Sequence, residues 1–573
     1  MQEKPINFVL CWHMHQPWYQ QGIEGDYQLP WVYLHAIKDY TDMAAHLENH
    51  PHMHVVVNFA PILLEQLDDY AVQLKEWFHE GRAMRDPLLN ALAGVTPVPD
   101  SATGRYEILV ACQRAHAPRM IDPYPCFRAM LDMVTLPEKD KSPEPASLEQ
   151  LHYLNEQYFH DLLVWYHLSW LGYSLKQMPE VQQLMNKERL YDEQDRRLLL
   201  KIIMDSITEV IPRYRRLAES GQVELSMTPY CHPIIPLLND FSNMRCAQPE
   251  APTPDCGGYP DGVARSRWHI EQGIRCFERH FGIKPKGVWL SEGGISDDAI
   301  SLLDEYGFSW TATGEGVWRN SCHASGFEPD LIHSKHDLFS PHIVNSHKAR
   351  VFFRDDGLSD LIGFEYSDRD ASEAVNDFQQ HLTNITNTYG DTADQHVISV
   401  ILDGENAWEY YPDNGFHFID TLYRELGKHD QVNPTTFSAL QSLSCDKSLP
   451  KLCAGSWVYG TFSTWIGEHD KNLAWDRLVE AKLAYDRVIN SGRLDEAQHE
   501  KANRQMAVCE GSDWFWWFGE HNPSNSVNDF DRLFRLQLKS LYHLLQEPVP
   551  DILDAPISHG GGQAENAGTM RRN

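Results

Sequence analysis

The chain has 573 residues, 42% of them hydrophobic and 23% charged, which excludes a collagen-like, coiled-coil or wholly disordered protein. Its formal charge of −32 repels nucleic acid and anionic lipid unless a local basic patch intervenes, and the sequence offers no such patch. No apolar run is long enough to span a membrane and no basic-then-apolar leader precedes the first strand, so a cytoplasmic protein without membrane or nucleic-acid partners is expected.

Short apolar runs predict strands at 6–13, 54–60, 223–228, 287–290, 308–313, 362–366 and 397–403. Helical periodicity fills many of the intervals, with helices predicted at 33–48, 151–178, 193–220 and 263–281. Strands alternating with helices imply βαβ units and a parallel sheet, and seven strands spread over residues 1–420 suggest a barrel with large insertions. Residues 138–147 are charged and rich in proline, and 249–262 are dense in proline and glycine; each reads as a loop, either an insertion or an active-site rim. Beyond about Phe416 strands become scarce. Helices predicted at 472–489, 496–509 and 529–545 make a helical domain over 421–550, and 551–573 reads as an unstructured tail. The 11 cysteines are odd in number and form no CxxC pair, which favours reduced thiols over a disulfide framework or a zinc module.

Four strand ends carry chemistry. The first strand ends in His13-Met-His15-Gln16-Pro17-Trp18-Tyr19. Two residues apart, His13 and His15 face the same way on an extended segment. Metal ligands, hydrogen-bond partners for sugar hydroxyls and structural histidines are all compatible with them. Glu224 sits inside an apolar strand, ahead of Tyr230-Cys-His232, as a pocket acceptor or as one half of an ion pair inside the barrel. Trp289-Leu-Ser-Glu292-Gly293-Gly294 delivers a carboxylate at a strand end, with glycines that would admit a ligand closely. Asp403-Gly-Glu405-Asn-Ala-Trp408-Glu409 sets three carboxylates after one buried strand. Paired carboxylates and aromatic faces are the equipment of glycoside hydrolysis, and no phosphate loop, serine elbow or dinucleotide fingerprint competes with them.

These segments, in order, resemble the five motifs of glycoside hydrolase family 57: His13 to Pro17, Gly221 to Glu224, Trp289 to Glu292, Asp403 to Glu405 and Trp465 to Trp475. Leu402 to Glu409, Thr464 to Trp475 and Glu510 to Phe518 look most like its amylopullulanase and α-amylase branch, and the likeness covers about residues 6–545. The resemblance implies an α/β fold, an incomplete (β/α)7 TIM-like barrel with a C-terminal helical domain that completes the active site. It implies a retaining enzyme on α-1,4 links of α-glucans or maltooligosaccharides, with action on α-1,6 links left open, and with no cofactor and no metal. Glu292 matches the nucleophile. Asp403 matches the general acid/base, held protonated by the neighbouring carboxylate. His13, His15, Glu224, Trp289, Trp408, Trp465 and Trp475 match substrate-binding or site-lining positions, and Phe353 to Asp360 matches a rim or supporting shell. A 4-α-glucanotransferase or branching enzyme with the same pair is the alternative. A metal-dependent carbohydrate hydrolase or deacetylase using His13 and His15 is a further one. A non-catalytic glycan-binding protein is disfavoured because both carboxylates are present.

Overall fold

A computed structural model describes residues 4–134, 148–443 and 446–562. Seven strands form its centre: β1 (Ile6–Met14), β2 (Val55–Phe59), β3 (Val223–Met227), β4 (Gly287–Val288), β5 (Trp310–Gly314), β6 (Arg350–Arg354) and β7 (Val397–Asp403). Each pairs in parallel with the next, and β7 returns to β1, so the ring closes with one strand fewer than the common eight. Helices α1 (Pro61–Glu80), α2 (Glu193–Glu219), α3 (Gly262–Phe281) and α4 (Ala371–Tyr389) occupy the crossovers. A capping box of Asp192 and Asp195 starts α2.

The strand expected at 362–366 is not one. Asp355 accepts from the Leu358 amide at 2.7 Å and caps a helix at Asp356–Asp360. That helix runs on into a π-helical turn at Leu361–Glu365, so the apolar run there is used in helical form. The sixth barrel strand is Arg350–Arg354 instead, whose Val-Phe-Phe centre suits a pleated, buried surface. The helix expected at 151–178 is also divided. Asn155 caps Glu156–Trp170, and Tyr173–Lys176 and Pro179–Lys187 follow as short helices.

Inside the ring, Val9, Cys11, Val56, Trp289, Trp310, Ala312, Phe352 and Ile401 form a core separate from the one outside. Phe437 and Leu440, on a 3-10 turn at Ser438–Ser442 and just before it, plug the N-terminal mouth, with Phe437 against Trp310 and Phe352 at 4.5 Å each. Barrel material therefore continues past residue 420. Val432–Pro434 pairs with β1, and Lys447–Leu449 pairs with His342–Val344, which itself pairs with β6. Long helices follow as α5 (His469–Ser491), α6 (Glu496–Cys509) and α7 (Ser524–Leu544).

A buried ion network fastens this helical layer to the barrel. Glu510, just after α6, accepts from Arg265 and His269 of α3 and from the Tyr259 hydroxyl. Burial alone would raise the Glu510 carboxyl, but the Arg265 guanidinium and His269 hold it down at about 2. Replacing Arg265 with alanine leaves that carboxylate buried without its main partner. A loss of about 3–5 kcal/mol is expected, read as a lower midpoint in denaturant unfolding.

Two sequence expectations change, for the cysteines and the tail, and one open alternative is decided, for loop 249–262. Cys246 and Cys453 form a disulfide, so the thiols are not all reduced. Loop 249–262 packs on α5, where Cys256 N donates to Asp476 and Asn472 donates to Pro252 O, and it does not line the large cavity described below. The tail is packed at its start: Leu553 and Ile557 are buried, and Gly561 and Gly562 donate to Asn522 O. Loop 138–147 and the tail from 563 lie outside the described residues. Among the described residues no helix is long and apolar enough to cross a membrane.

Candidate active site

A cavity of about 780 Å³ opens where the C-terminal ends of β1 and β7 meet the helical layer. His13, His15, Glu292, Arg354, Asp403 and Glu405 line it from the barrel side, and Asp513, Trp516, Trp517 and Phe530 from the helical side. Strand register explains part of this grouping. His13 sits opposite Asp403 on one side and Asn58 on the other, and Asn58 is opposite Ser226.

A chain of hydrogen bonds fixes the histidines. Asn58 donates from its amide to Ser226 Oγ at 3.0 Å and accepts from Thr228 Oγ1 at 2.8 Å, so its oxygen faces His13. His13 Nδ1–H therefore donates to Asn58 Oδ1 at 2.7 Å, leaving Nε2 to accept from His232 Nε2–H at 3.2 Å. His232 Nδ1 then accepts from Ser512 Oγ at 2.8 Å. Burial, followed by the charge of His15, lowers His13 to about 3 and takes His232 well below the usual range, so both rings are neutral. His15 stacks on His232 at 3.8 Å, bonds Asp513 through Nε2 at 2.7 Å, and donates its backbone N–H to Glu405 at 3.1 Å.

Ligand-type atoms of His15, His232 and Asp513 lie within 4.8 Å of one another. They do not make a metal cage as arranged. A metal accepts each imidazole lone pair close to that ring's plane, about 2.0–2.1 Å from the nitrogen. The planes of His15 and His232 are only 14° apart and stacked face to face, so no single point satisfies both. Both nitrogens of His232 are also engaged already.

Glu292 lies in a short turn after β4 with φ +58° and ψ 25°, a left-handed backbone that costs a side-chain-bearing residue about 1–2 kcal/mol. Trp457 holds it there: its backbone N donates to Glu292 O, and its indole Nε1 to Glu292 Oε2, each at 3.1 Å. Gly293 also has positive φ, and a Cβ there would come within 2.9 Å of the Trp289 ring. The glycine thus makes room for tryptophan rather than for a ligand.

Asp403 ends β7 and accepts from Asn406 Nδ2 at 3.0 Å. Burial is the largest influence on it and raises the carboxyl to about 6, against weaker opposing pulls from Asn406, His15 and Arg354. Glu405 is also pushed well above the usual carboxylate range, by burial and then by the charge of Asp403. Arg354 donates to Ile401 O at 2.8 Å and is held from behind by Asp356 and Asp360 at 2.5 and 3.0 Å. The cavity thus presents one acid that burial holds half-protonated near pH 6 and, elsewhere on its wall, the carboxylate of Glu292 on a constrained turn, groups suited to acid-assisted displacement.

The family model for glycosyl hydrolase family 57 matches residues 9–444, three quarters of the chain. The chain belongs to this family. The family 57 enzyme is 19% identical over 370 residues to the 1,4-alpha-glucan branching enzyme TK1436 of Thermococcus kodakarensis, a match covering 53% of this chain and 51% of that protein. The chain thus spans about half the length of this curated relative. The crystal structure of the same branching enzyme superposes with a TM-score of 0.56 at 14% identity, covering 95% of this chain and 90% of that one. The α-amylase AmyC of Thermotoga maritima gives 0.54 at 12% identity, covering 95% and 97%. The 4-alpha-glucanotransferase of Thermococcus litoralis gives 0.52 at 14%, covering 94% and 60%.

Within the family 57 enzyme, the expected site residues divide. Glu292, Asp403, His13 and His15 line one cavity. Glu224 does not reach it. As the second residue of β3 it faces the opposite mouth, where it accepts from Trp310 Nε1 at 2.7 Å and from Ser438 N at 2.9 Å. Trp289 lies beneath the site as packing, 5.1 Å from Trp457 and 6.4 Å from His13. Trp408 is buried against Trp12 at 5.5 Å and bonds Gly404 O. Trp465 and Trp475 are buried in the seam between barrel and helical layer, with Trp475 stacked on Phe515 at 4.4 Å and donating to Trp465 O. The polar residues at the start of α5 bond one another: Asn472 Oδ1 accepts from Gly467 N, and Lys471 pairs with Glu468. His232, Asp513 and Trp457 are the site residues to which the sequence assigned no role. His232 stood within a quoted segment and Asp513 within the C-terminal signature, but only the fold brings them to His15.

Proposed function

We propose that this enzyme cleaves α-glucosidic bonds of α-glucans by a retaining double displacement, with Glu292 as nucleophile and Asp403 as general acid/base. The observation that carries this reading is the placement of a half-buried Asp403 with a raised carboxyl and a clamped Glu292 on the walls of one cavity. Protonated Asp403 donates to the glycosidic oxygen as Glu292 attacks the anomeric carbon, giving a glycosyl-enzyme and a free leaving group. Asp403, now ionised, takes a proton from the incoming acceptor, which displaces Glu292 and restores both groups. Both ring nitrogens of His13 are taken by Asn58 and His232, but His15 Nδ1, which no described residue bonds, offers a hydrogen bond to a sugar hydroxyl. Trp516 and Trp517 offer faces for sugar rings, so the helical layer completes the site.

The acceptor decides the class. Water makes the enzyme an α-1,4-acting hydrolase of the amylase and amylopullulanase type. A glucan hydroxyl makes it a transferase, a reading supported by the branching enzyme and glucanotransferase among its relatives. Incubation with maltoheptaose separates the two. Hydrolysis raises reducing ends in step with substrate loss. Transfer redistributes chain lengths, or creates α-1,6 branches, at constant reducing ends. Loss of neither α-1,4 nor α-1,6 links from maltoheptaose, amylose and pullulan would overturn the α-glucan reading.

A further inference from the structure

We propose that the Cys246–Cys453 disulfide is a redox control on the site, acting through the strap at 452–464 that holds Glu292. This rests on the reading of Glu292 as nucleophile. The two cysteines are 207 residues apart, with Cα atoms at 5.5 Å. Cys246 ends a 3-10 turn after β3 and is exposed, whereas Cys453 is buried at the start of the strap. Two residues on, Gly455 exchanges both backbone hydrogen bonds with Ile295, at 2.8 and 3.1 Å. Two further on, Trp457 makes its pair of bonds to Glu292. Further along, Phe462 N donates to Gln248, two residues beyond Cys246.

The strap carries no regular helix or strand of its own. Glu292 sits in an unfavourable left-handed conformation, which persists only while neighbouring groups over-determine it. The disulfide is the one covalent tie within that clamp among the described residues, and its exposed end is open to attack. The chemistry is ordinary thiol–disulfide exchange. One thiolate of a dithiol reductant attacks Cys246 Sγ, and Cys453 leaves as a thiolate. The second thiolate of the reductant then displaces Cys246 and closes its own disulfide. Two electrons pass to the protein, and its two thiolates take up two protons. Cys453 is then free to move the strap, and Trp457 loosens its hold on Glu292.

The positioning role predicts a loss of turnover without a loss of substrate binding. Reduction with dithiothreitol should lower kcat on maltoheptaose about tenfold or more, leave KM within about twofold, and be reversed by reoxidation. Cys246→Ser should show the same low kcat and no response to the reductant; as an exposed residue it tests the tie without removing core packing. Hydrogen exchange supplies a readout that does not depend on activity. The amides of Trp457 and Ile295 should exchange at least tenfold faster in the reduced enzyme, while those of β1 and β7 stay protected. Unchanged exchange at Trp457 and Ile295 overturns the proposal, as does an unchanged kcat in both the reduced enzyme and Cys246→Ser. If the oxidised enzyme fails to act on any α-glucan, the functional reading falls and the exchange measurement still decides this one.

Discussion

Glu292→Gln is expected to lower kcat on α-glucans by roughly 10⁴- to 10⁶-fold, the range seen when a covalent nucleophile is removed. The amide is isosteric and can still meet the Trp457 indole, so fold and substrate binding should survive. Glu292→Ala should be equally inactive but rescued by azide on a glucoside with a good leaving group, because azide fits the vacated space and attacks the same carbon. The product would be a glucosyl azide of inverted configuration. Retained turnover in Glu292→Gln would remove the nucleophile assignment outright.

Asp403→Asn is expected to cost about 10²- to 10⁴-fold in kcat on natural links and far less on substrates whose leaving group needs no proton. The raised carboxyl also sets a pH signature. Asp403 acts as an acid only while protonated, so kcat/KM should fall as pH rises through about 6, and that limb should vanish in Asp403→Asn. Stability falls in the same direction, over a lower range. The folded state holds this proton more tightly than the unfolded chain, whose carboxyl titrates near 3.8, so folding is weakened as pH rises from about 4 to 6. The asparagine variant should therefore melt higher than the parent at pH 7 and show no such advantage below about pH 4. A variant that melts lower at pH 7 would mean that Asp403 holds the fold together rather than being strained for chemistry.

What the sequence disclosed follows from where residues lie along their strands. His13, His15, Glu292 and Asp403 stand at or just beyond C-terminal strand ends, and strand direction in a parallel barrel sends all such ends to one mouth. Glu224 has three strand residues after it, and the same rule places it at the other mouth. Resemblance to a motif marked it as a site residue while its strand position argued otherwise, and strand position won. The tryptophans failed for another reason. Trp408, Trp465 and Trp475 match family positions, but identity at a position does not say which way a ring turns, and all three turn inward. The strand read at 362–366 yielded to a local cap, Asp355, that apolar periodicity does not register. His232 and Asp513 meet His15 across separations in the hundreds of residues, and neither spacing nor periodicity reports such contacts.

The plug of the barrel's lower mouth bears on how the protein is made. Phe437 and Leu440 fill the ring from below, and Ser438 supplies two of the partners of Glu224. A nascent chain that has left the ribosome only as far as β7 holds every strand of the ring but not its base. At that stage Glu224 is still wet, and the interior aromatic rings lack their lower neighbours. Closing the ring then would leave its interior aromatic rings facing water through an open mouth, so it gains less than with the plug seated. Vectorial synthesis therefore favours an open, unzipped ring until the segment after β7 emerges. The last act of barrel folding is then the seating of a short turn rather than the pairing of a strand.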